Sequence, residues 1–274
     1  MNYLEIDGCE MAYREAGHGD RTLVFLHGNS MSSEIFDAQL SGYLVNKYHL
    51  LAFDLPGHGK SGDAATPEAT YTLPGYAAVI GQALAQLQVK FPLLIGFSLG
   101  GNVALQMLAS GQSLAGLMTI GASPLSGEAA HLMDGFLTDI DLGFMFNETM
   151  TDAEVETYVQ HALQGNAAIP ADFLEQDVRR THGLARTTLI GSLIAGDYAD
   201  QESLVGTNPL PLALVFGAND TLMNTDHIGA LPYANLWGGT VQSLTGGFHA
   251  PFRDGPEDFD ALVDAFADTI FKPT

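Results

Sequence analysis

Ser98 stands between two glycines in Gly96-Phe97-Ser98-Leu99-Gly100, directly after the apolar run Leu93-Leu94-Ile95. The missing Cβ atoms let the backbone turn sharply enough to hold one hydroxyl clear of a strand end in a strained conformation, a nucleophile elbow. A serine hydroxyl attacks only when a base takes its proton, and that base needs a carboxylate to fix its tautomer and stabilise its charged form. The chemistry so specified is acyl transfer through a covalent acyl-enzyme. Of nine histidines, His249 alone falls between the last apparent strand and the last helix, behind a Gly246-Gly247 turn. His27 and His58 each precede a glycine in a tight turn and are read as loop-shaping residues. Asp220 follows the apolar run Leu212–Phe216 and gives the chain order serine, acid, histidine. The rival position after Leu114–Ile120 reads Gly121-Ala122-Ser123-Pro124 and offers no carboxylate, while Asp226 reads as a solvated surface charge. Two backbone N–H groups complete the requirement as an oxyanion hole, that of Leu99 at a helix start and that of Asn29 on the first such loop. The Asn29 side chain is read equally as a substrate contact or as a brace for its turn.

The elements that must position these groups follow from the hydrophobic pattern. Tyr3–Ile6 and Glu10–Arg14 flank Asp7-Gly8 as an edge hairpin. Thr22–Leu26, Leu50–Phe53, Leu93–Ile95, Leu114–Ile120 and Leu212–Phe216 are continuous apolar runs, as strands covered on both faces are. Helical patterns lie between them, through Ile35, Phe36, Leu40 and Leu44, over Thr72–Leu87, and from the elbow to Ala109. Steady β-α-β alternation predicts an α/β fold with a mostly parallel twisted sheet and helices on both faces. The loops carrying Asn29, Ser61, Ser98 and Ser123 then share the rim at the strands' carboxyl ends. From Ser123 to Gly206 the strand signal stops. Thr151-Asp152-Ala153-Glu154 opens a helix toward Gln164, and Ala171–Leu184 and Thr187–Ala195 also read as helical. The expected organisation is a core of residues 1–122 and 207–274 with a helical lid, 123–206, inserted in it. Thr240–Leu244 is a final strand and Phe259–Phe271 a closing helix.

Composition narrows the class of function. The 274 residues are 46% hydrophobic and 15% charged, enough apolar material for one large core. With 32 acidic against 10 basic residues the formal charge is −22, which opposes nucleic acid and anionic membrane surfaces as partners. A small neutral or cationic molecule is the favoured partner; oligomeric state is not legible. The single cysteine, Cys9, excludes an internal disulfide and fits a reducing compartment. No basic stretch followed by an apolar one opens the chain, and no apolar run reaches the roughly 20 residues of a membrane span. A cytoplasmic location is expected. No His-x-His-x-Asp-His string occurs, so no dinuclear zinc site is expected, and no cofactor is called for.

The strings His27-Gly28-Asn29-Ser30, Asp54-Leu55-Pro56-Gly57-His58-Gly59-Lys60-Ser61, Gly96-Phe97-Ser98-Leu99-Gly100-Gly101 and His249-Ala250-Pro251-Phe252 resemble the α/β-hydrolase superfamily along the whole chain. Within it, Leu26–Ser30, Asn235-Leu236-Trp237 and His249–Arg253 look most like the metal-independent N-acyl-homoserine lactonases that quench quorum sensing. The resemblance implies a homoserine lactone head with a fatty acyl tail, hydrolysed at the ring ester. It makes Ser98 the nucleophile, His249 the base and Asp220 the acid, with Asn29 and Leu99 framing the oxyanion hole. Tyr158 matches a lid tyrosine that faces substrate. The chain departs from that group at Asp220, where glutamate is expected, and at Phe97, where tryptophan is expected, so Phe97 is a candidate for shaping the substrate pocket. In the lid, Leu132, Met133, Phe136, Leu137, Phe144, Met145 and Phe146 are apolar and flexible enough to cover an acyl chain. Among them Phe136 and Met145 are candidate substrate contacts. The same triad also serves carboxylesterases and C–C bond hydrolases, and a slow ligand-binding receptor on this fold is a further reading.

Overall fold

A computed structural model describes residues 1–137, 143–164 and 172–271. Eight strands form one sheet: β1 (Asn2–Ile6), β2 (Cys9–Ala16), β3 (Thr22–Leu26), β4 (His49–Phe53), β5 (Leu93–Phe97), β6 (Gly116–Ile120), β7 (Leu212–Gly217) and β8 (Gln242–Leu244). Their spatial order is β1-β2-β4-β3-β5-β6-β7-β8. The first hairpin and the β2–β4 pair are antiparallel, and every pairing from β4 to β8 is parallel. The chain leaves β3 toward β4 and then crosses back to β5. This reversal of direction opens a crevice at the carboxyl ends of β3 and β5.

The two-residue period of each strand sorts its side chains between two cores. Val24, Leu26, Leu51, Phe53, Leu94, Leu117, Leu214 and Phe216 face the helices Leu73–Gln86 and Leu99–Ala109. Leu23, Phe25, Leu50, Ala52, Leu93, Ile95, Met118, Ala213 and Val215 face the closing helix Pro256–Ile270 and the turns around Ile35 and Leu44. These central residues are almost fully buried, which explains why β3 to β7 read as unbroken apolar runs.

Between β6 and β7 the described residues form helices joined by turns and coil, with one isolated bridge from Phe136 to Met223. Asp152–Leu163 starts with the expected capping box, the Thr151 side chain and Glu154 satisfying each other's backbone N–H groups. Two further helices, Asp172–Arg180 and Gly183–Ala195, divide at a different point from the expected Ala171–Leu184 and Thr187–Ala195; Ala171 itself lies outside the described residues. The break is a tertiary effect. His182 donates its N–H to Gly57 O at 2.8 Å, and its Nδ1 pairs with the Tyr71 hydroxyl at 2.9 Å. A short helix that the pattern did not signal, Gln201–Thr207, packs near the helix that follows the elbow. The helical stretch expected through Leu44 is likewise broken, by extended backbone at Gly42 between Asp37–Ser41 and Tyr43–Asn46. Among the described residues no helix is long and apolar enough to cross a membrane.

Candidate active site

Six parallel strands deliver their following loops to one rim, and the candidate residues lie there. Ser98 follows β5 with φ 49° and ψ −117°, a conformation costly for a residue with a Cβ and typical of functional strain. Its N–H is held by Ile120 O at 2.8 Å. A Cβ on Gly96 would stand 2.3 Å from Gly100 O, and one on Gly100 would stand 2.1 Å from Leu26 O. The elbow glycines are therefore required by backbone-to-backbone approach: they bring the helix Leu99–Ala109 down onto β5 and the end of β3.

His249 lies between β8 and the short helix Pro251–Asp254, only 6% exposed, and its Nδ1 pairs with Asp220 Oδ2 at 2.9 Å. Asp220 Oδ1 accepts from Leu222 N at 2.8 Å and from Gln164 Nε2 at 3.3 Å. Burial pushes the Asp220 carboxyl up, but the His249 charge and hydrogen bond and the donations from Leu222 and Gln164 outweigh it and hold the group below its ordinary value. Asp220 is thus kept as the carboxylate that fixes Nδ1–H and leaves Nε2 free to act as a base. Ser98 and His249 line the same cavity. Among the described residues Ser98 Oγ has no hydrogen-bond partner, and bonds of this kind commonly tighten only on the way to the transition state.

The backbone N–H groups of Leu99 and Asn29 also lack acceptors among the described residues, Leu99 because the first turn of a helix has none of its own. Both residues line the cavity beside Ser98. The Tyr158 hydroxyl donates to Asn29 O, and Asn29 Nδ2 reaches Met145 O at 3.4 Å, so the loop after β3 is tied to two segments of the chain between β6 and β7. The cavity, about 140 Å³, is lined further by Asn102 and is otherwise largely apolar: Leu132, Phe136, Met145, Leu189 and Leu222 are among its walls.

Phe97 is the exception among the candidates. It is fully buried and stands outside the cavity lining. Its ring packs 5.1 Å from the His249 ring and 5.1 Å from Phe252, beneath the histidine. Phe97, read from the sequence as a shaper of the substrate pocket, is placed against the His249 ring and not on the cavity wall. The strand period carried the signal, since Phe97 falls on the same face as Leu93 and Ile95.

Two participants escaped the sequence reading. Gln164 ends the helix Asp152–Leu163 in a left-handed conformation and braces Asp220 while its Oε1 accepts from Thr221 N at 3.2 Å. Gly121, with φ +55°, sits so close under His249 that a Cβ would stand 2.9 Å from its Cε1 and 3.1 Å from its Nδ1. Neither has a motif of its own; a positive-φ glycine at the end of β6 was the available hint.

The two other candidate-loop histidines, His27 and His58, and the cysteine take structural parts. His27 Nδ1 donates to Gly28 O at 2.7 Å while its Nε2 accepts from Leu55 N at 2.9 Å, so both ring nitrogens are committed. Burial pushes its pKa down, outweighing the opposite pull of Asp54 and of the Gly28 carbonyl. His58, also fully buried, pairs through Nδ1 with Pro56 O at 3.0 Å and packs on the His27 ring. Cys9 donates to Gly62 O, and burial pushes its thiol up to about 11. Among the described residues no group of three or more His, Cys, Asp or Glu is arranged to hold a metal ion.

A strained serine after a central strand of a mostly parallel sheet, in one cavity with a histidine paired to an aspartate, defines the class. The chain belongs to the alpha/beta hydrolase family, whose model matches residues 23–263. Among its relatives is the pimeloyl-[acyl-carrier protein] methyl ester esterase of Edwardsiella ictaluri, 31% identical over 93% of this chain and 96% of that protein. The solved structure of N-acyl homoserine lactonase AidH complexed with N-butanoyl homoserine is 32% identical, with a TM-score of 0.93 over 100% of this chain and 99% of that one. A mutant of the same lactonase complexed with N-hexanoyl homoserine superposes with a TM-score of 0.94 at 32% identity, over 100% of this chain and 98% of that one. A putative aryl esterase from Burkholderia cenocepacia shares the fold at 20% identity, with a TM-score of 0.78 over 99% of this chain and 98% of that one.

Proposed function

We propose that this hydrolase opens the lactone ring of N-acyl-homoserine lactones through a Ser98 acyl-enzyme. The observation that carries the reading is the whole-chain likeness to AidH, at a TM-score of 0.93, around a cavity where Ser98 and His249 meet apolar walls. Ser98 Oγ attacks the ring carbonyl as His249 Nε2 takes its proton, and Asp220 stabilises the resulting imidazolium. The N–H groups of Leu99 and Asn29 receive the negative charge that develops on the carbonyl oxygen. His249 then protonates the ring oxygen as the C–O bond breaks. The leaving alcohol stays tethered to the acyl group, so a water activated by His249 must attack the acyl-enzyme before the ring re-closes. The product is the ring-opened N-acyl homoserine.

In this reading residues 123–206 act as a lid over an otherwise apolar acyl site, with Tyr158, Phe136 and Met145 facing substrate. A methyl ester esterase is the second reading, favoured by the 31% identical relative that carries that name. Product analysis by mass spectrometry, with N-butanoyl and N-hexanoyl homoserine lactones beside acyl methyl esters, separates the two. The lactonase reading expects a gain of one water per lactone and a turnover loss of roughly 10³-fold or more in Ser98→Ala. Hydrolysis persisting in a folded Ser98→Ala variant removes the nucleophile assignment, and faster cleavage of methyl esters than of lactones replaces the substrate.

A further inference from the structure

Asn102 lies four residues after Ser98, one turn along the helix that starts at the elbow, and lines the same cavity. Its amide orientation is fixed by its partners. Nδ2 donates to Ser123 O at 2.8 Å and to Gln201 Oε1 at 2.9 Å, which uses both of its hydrogens. Gln201, fully buried, is itself oriented: its Nε2 donates to Asn102 O at 3.0 Å and its Oε1 also accepts from Leu125 N at 3.2 Å. Turning the Asn102 amide over would set its oxygen against two acceptors. Asn102 Oδ1 therefore lies on the other side, has no donor among the described residues, and is not one of the buried polar atoms left unpartnered. It is an acceptor with no internal donor among the described residues, on a residue that lines a largely apolar cavity. The other amide there, Asn29, has one long contact at each end, Nδ2 to Met145 O at 3.4 Å and Oδ1 from the Ser30 hydroxyl at 3.4 Å.

We infer that Asn102 Oδ1 is a specificity determinant that accepts a hydrogen bond from an N–H group on the carbon next to the scissile carbonyl. The inference rests on the proposed lactonase reading and deepens it. In an N-acyl-homoserine lactone the amide nitrogen is two bonds from the carbonyl that Ser98 attacks, so a substrate held at Ser98 carries its N–H within about one helical turn of the elbow. A lactone whose side chain is joined through oxygen presents a lone pair to Oδ1 instead of a hydrogen. A site built around one hydrogen bond discriminates strongly against an analogue that leaves its polar group unpaired. Asn102 thus selects α-amido lactones over α-acyloxy ones.

The test compares N-hexanoyl homoserine lactone with its oxygen isostere, α-hexanoyloxy-γ-butyrolactone. Wild-type kcat/KM is expected to favour the amide by about 10-fold or more. In Asn102→Leu, and in Asn102→Ser, whose hydroxyl keeps a polar group at this position without the reach of the amide, the two values converge to within about threefold. A merely structural role lowers both substrates together and leaves their ratio as in wild type, and that result overturns the inference. Calorimetric affinities in the Ser98→Ala background give the same amide-to-ester ratio without turnover. If the wild type opens neither lactone, the lactonase reading falls while this affinity ratio still decides the role of Asn102. An affinity ratio near one with the asparagine present, or no binding of either lactone, overturns it.

Discussion

Ser32 Oγ donates a hydrogen bond to Asp177 Oδ2 at 2.5 Å, fastening the helix Asp172–Arg180 to the loop that follows β3. Asp177 is 8% exposed, and burial raises its carboxyl to about 7, against the Ser32 bond; the charges of Glu34 and Asp54 add to the rise and Lys60 opposes it. An unfolded chain releases this proton near 3.8. Between these values the folded state holds more protons than the unfolded one, so the contribution of Asp177 to stability falls as pH rises to about 7 and stays low above it. Asp177→Asn is expected to remove that slope and to gain on the order of 1–3 kcal/mol at pH 8, with no gain below about pH 4. Denaturant titrations at pH 4, 6 and 8 measure it; a variant less stable than wild type at pH 8 contradicts the account.

Gly121→Ala tests the seat of His249. The added methyl meets the imidazole at 2.9 Å and the His249 carbonyl at 3.0 Å, on backbone with φ +55°. The histidine must move, so a loss of about 10²-fold or more in kcat is expected against a stability loss of only about 1–3 kcal/mol. Single-turnover kinetics beside a thermal melt separate the two effects. Activity within about threefold of wild type shows that the ring tolerates displacement.

Tyr158→Phe removes one hydroxyl, the donor to the Asn29 carbonyl. That carbonyl then loses its partner in a buried setting, and the loop that supplies the Asn29 N–H loosens. A fall of about 5- to 20-fold in kcat/KM, carried mainly by kcat, is expected from one such bond. A change confined to KM instead assigns Tyr158 to substrate binding alone.

The sheet and the elbow were legible because both are dictated locally. Doubly covered strands must be apolar throughout, and the approach of Gly96 and Gly100 to neighbouring backbone admits no side chain. Asp220 and His249 were legible by position, each in the loop after a strand whose carboxyl end joins the rim. The partners of those residues were not. Gln164 reaches Asp220 from a helix end 56 residues away in the chain, a contact set by how that helix packs on the sheet's rim and by no periodicity of its own. The helix break at Thr181-His182 has the same origin, since it depends on Gly57 O and Tyr71. The burial of Phe97 was legible in the alternation of β5, which turns it toward the core with Ile95 although it adjoins Ser98 in the chain.

Arg186 ties two segments of the helical region between β6 and β7 to each other and to the loop after β3. It is 4% exposed, and among the described residues it pairs with no carboxylate. Its guanidinium instead donates to Asn147 O at 2.7 Å, Glu148 O at 3.1 Å, Val178 O at 3.2 Å and Ser30 Oγ at 3.3 Å. Burial lowers its pKa, with the neighbouring Tyr158 acting the other way. Three carbonyls from two separate segments and one hydroxyl beside Asn29 therefore depend on one side chain. Arg186→Met keeps the apolar stem and removes every donor, leaving those acceptors unpaired, at an expected cost of about 2–4 kcal/mol. Because Ser30 adjoins Asn29, kcat/KM should fall as well, by about 10-fold or more. Arg186→Lys retains the charge with fewer donors in a different geometry, so it should recover only part of either loss. Urea unfolding measures the first effect, and limited proteolysis locates it: cleavage near Asn147 should precede cleavage of the sheet in Arg186→Met. Equal protection of that segment in wild type and variant would show that the guanidinium is dispensable to the docking of the insertion.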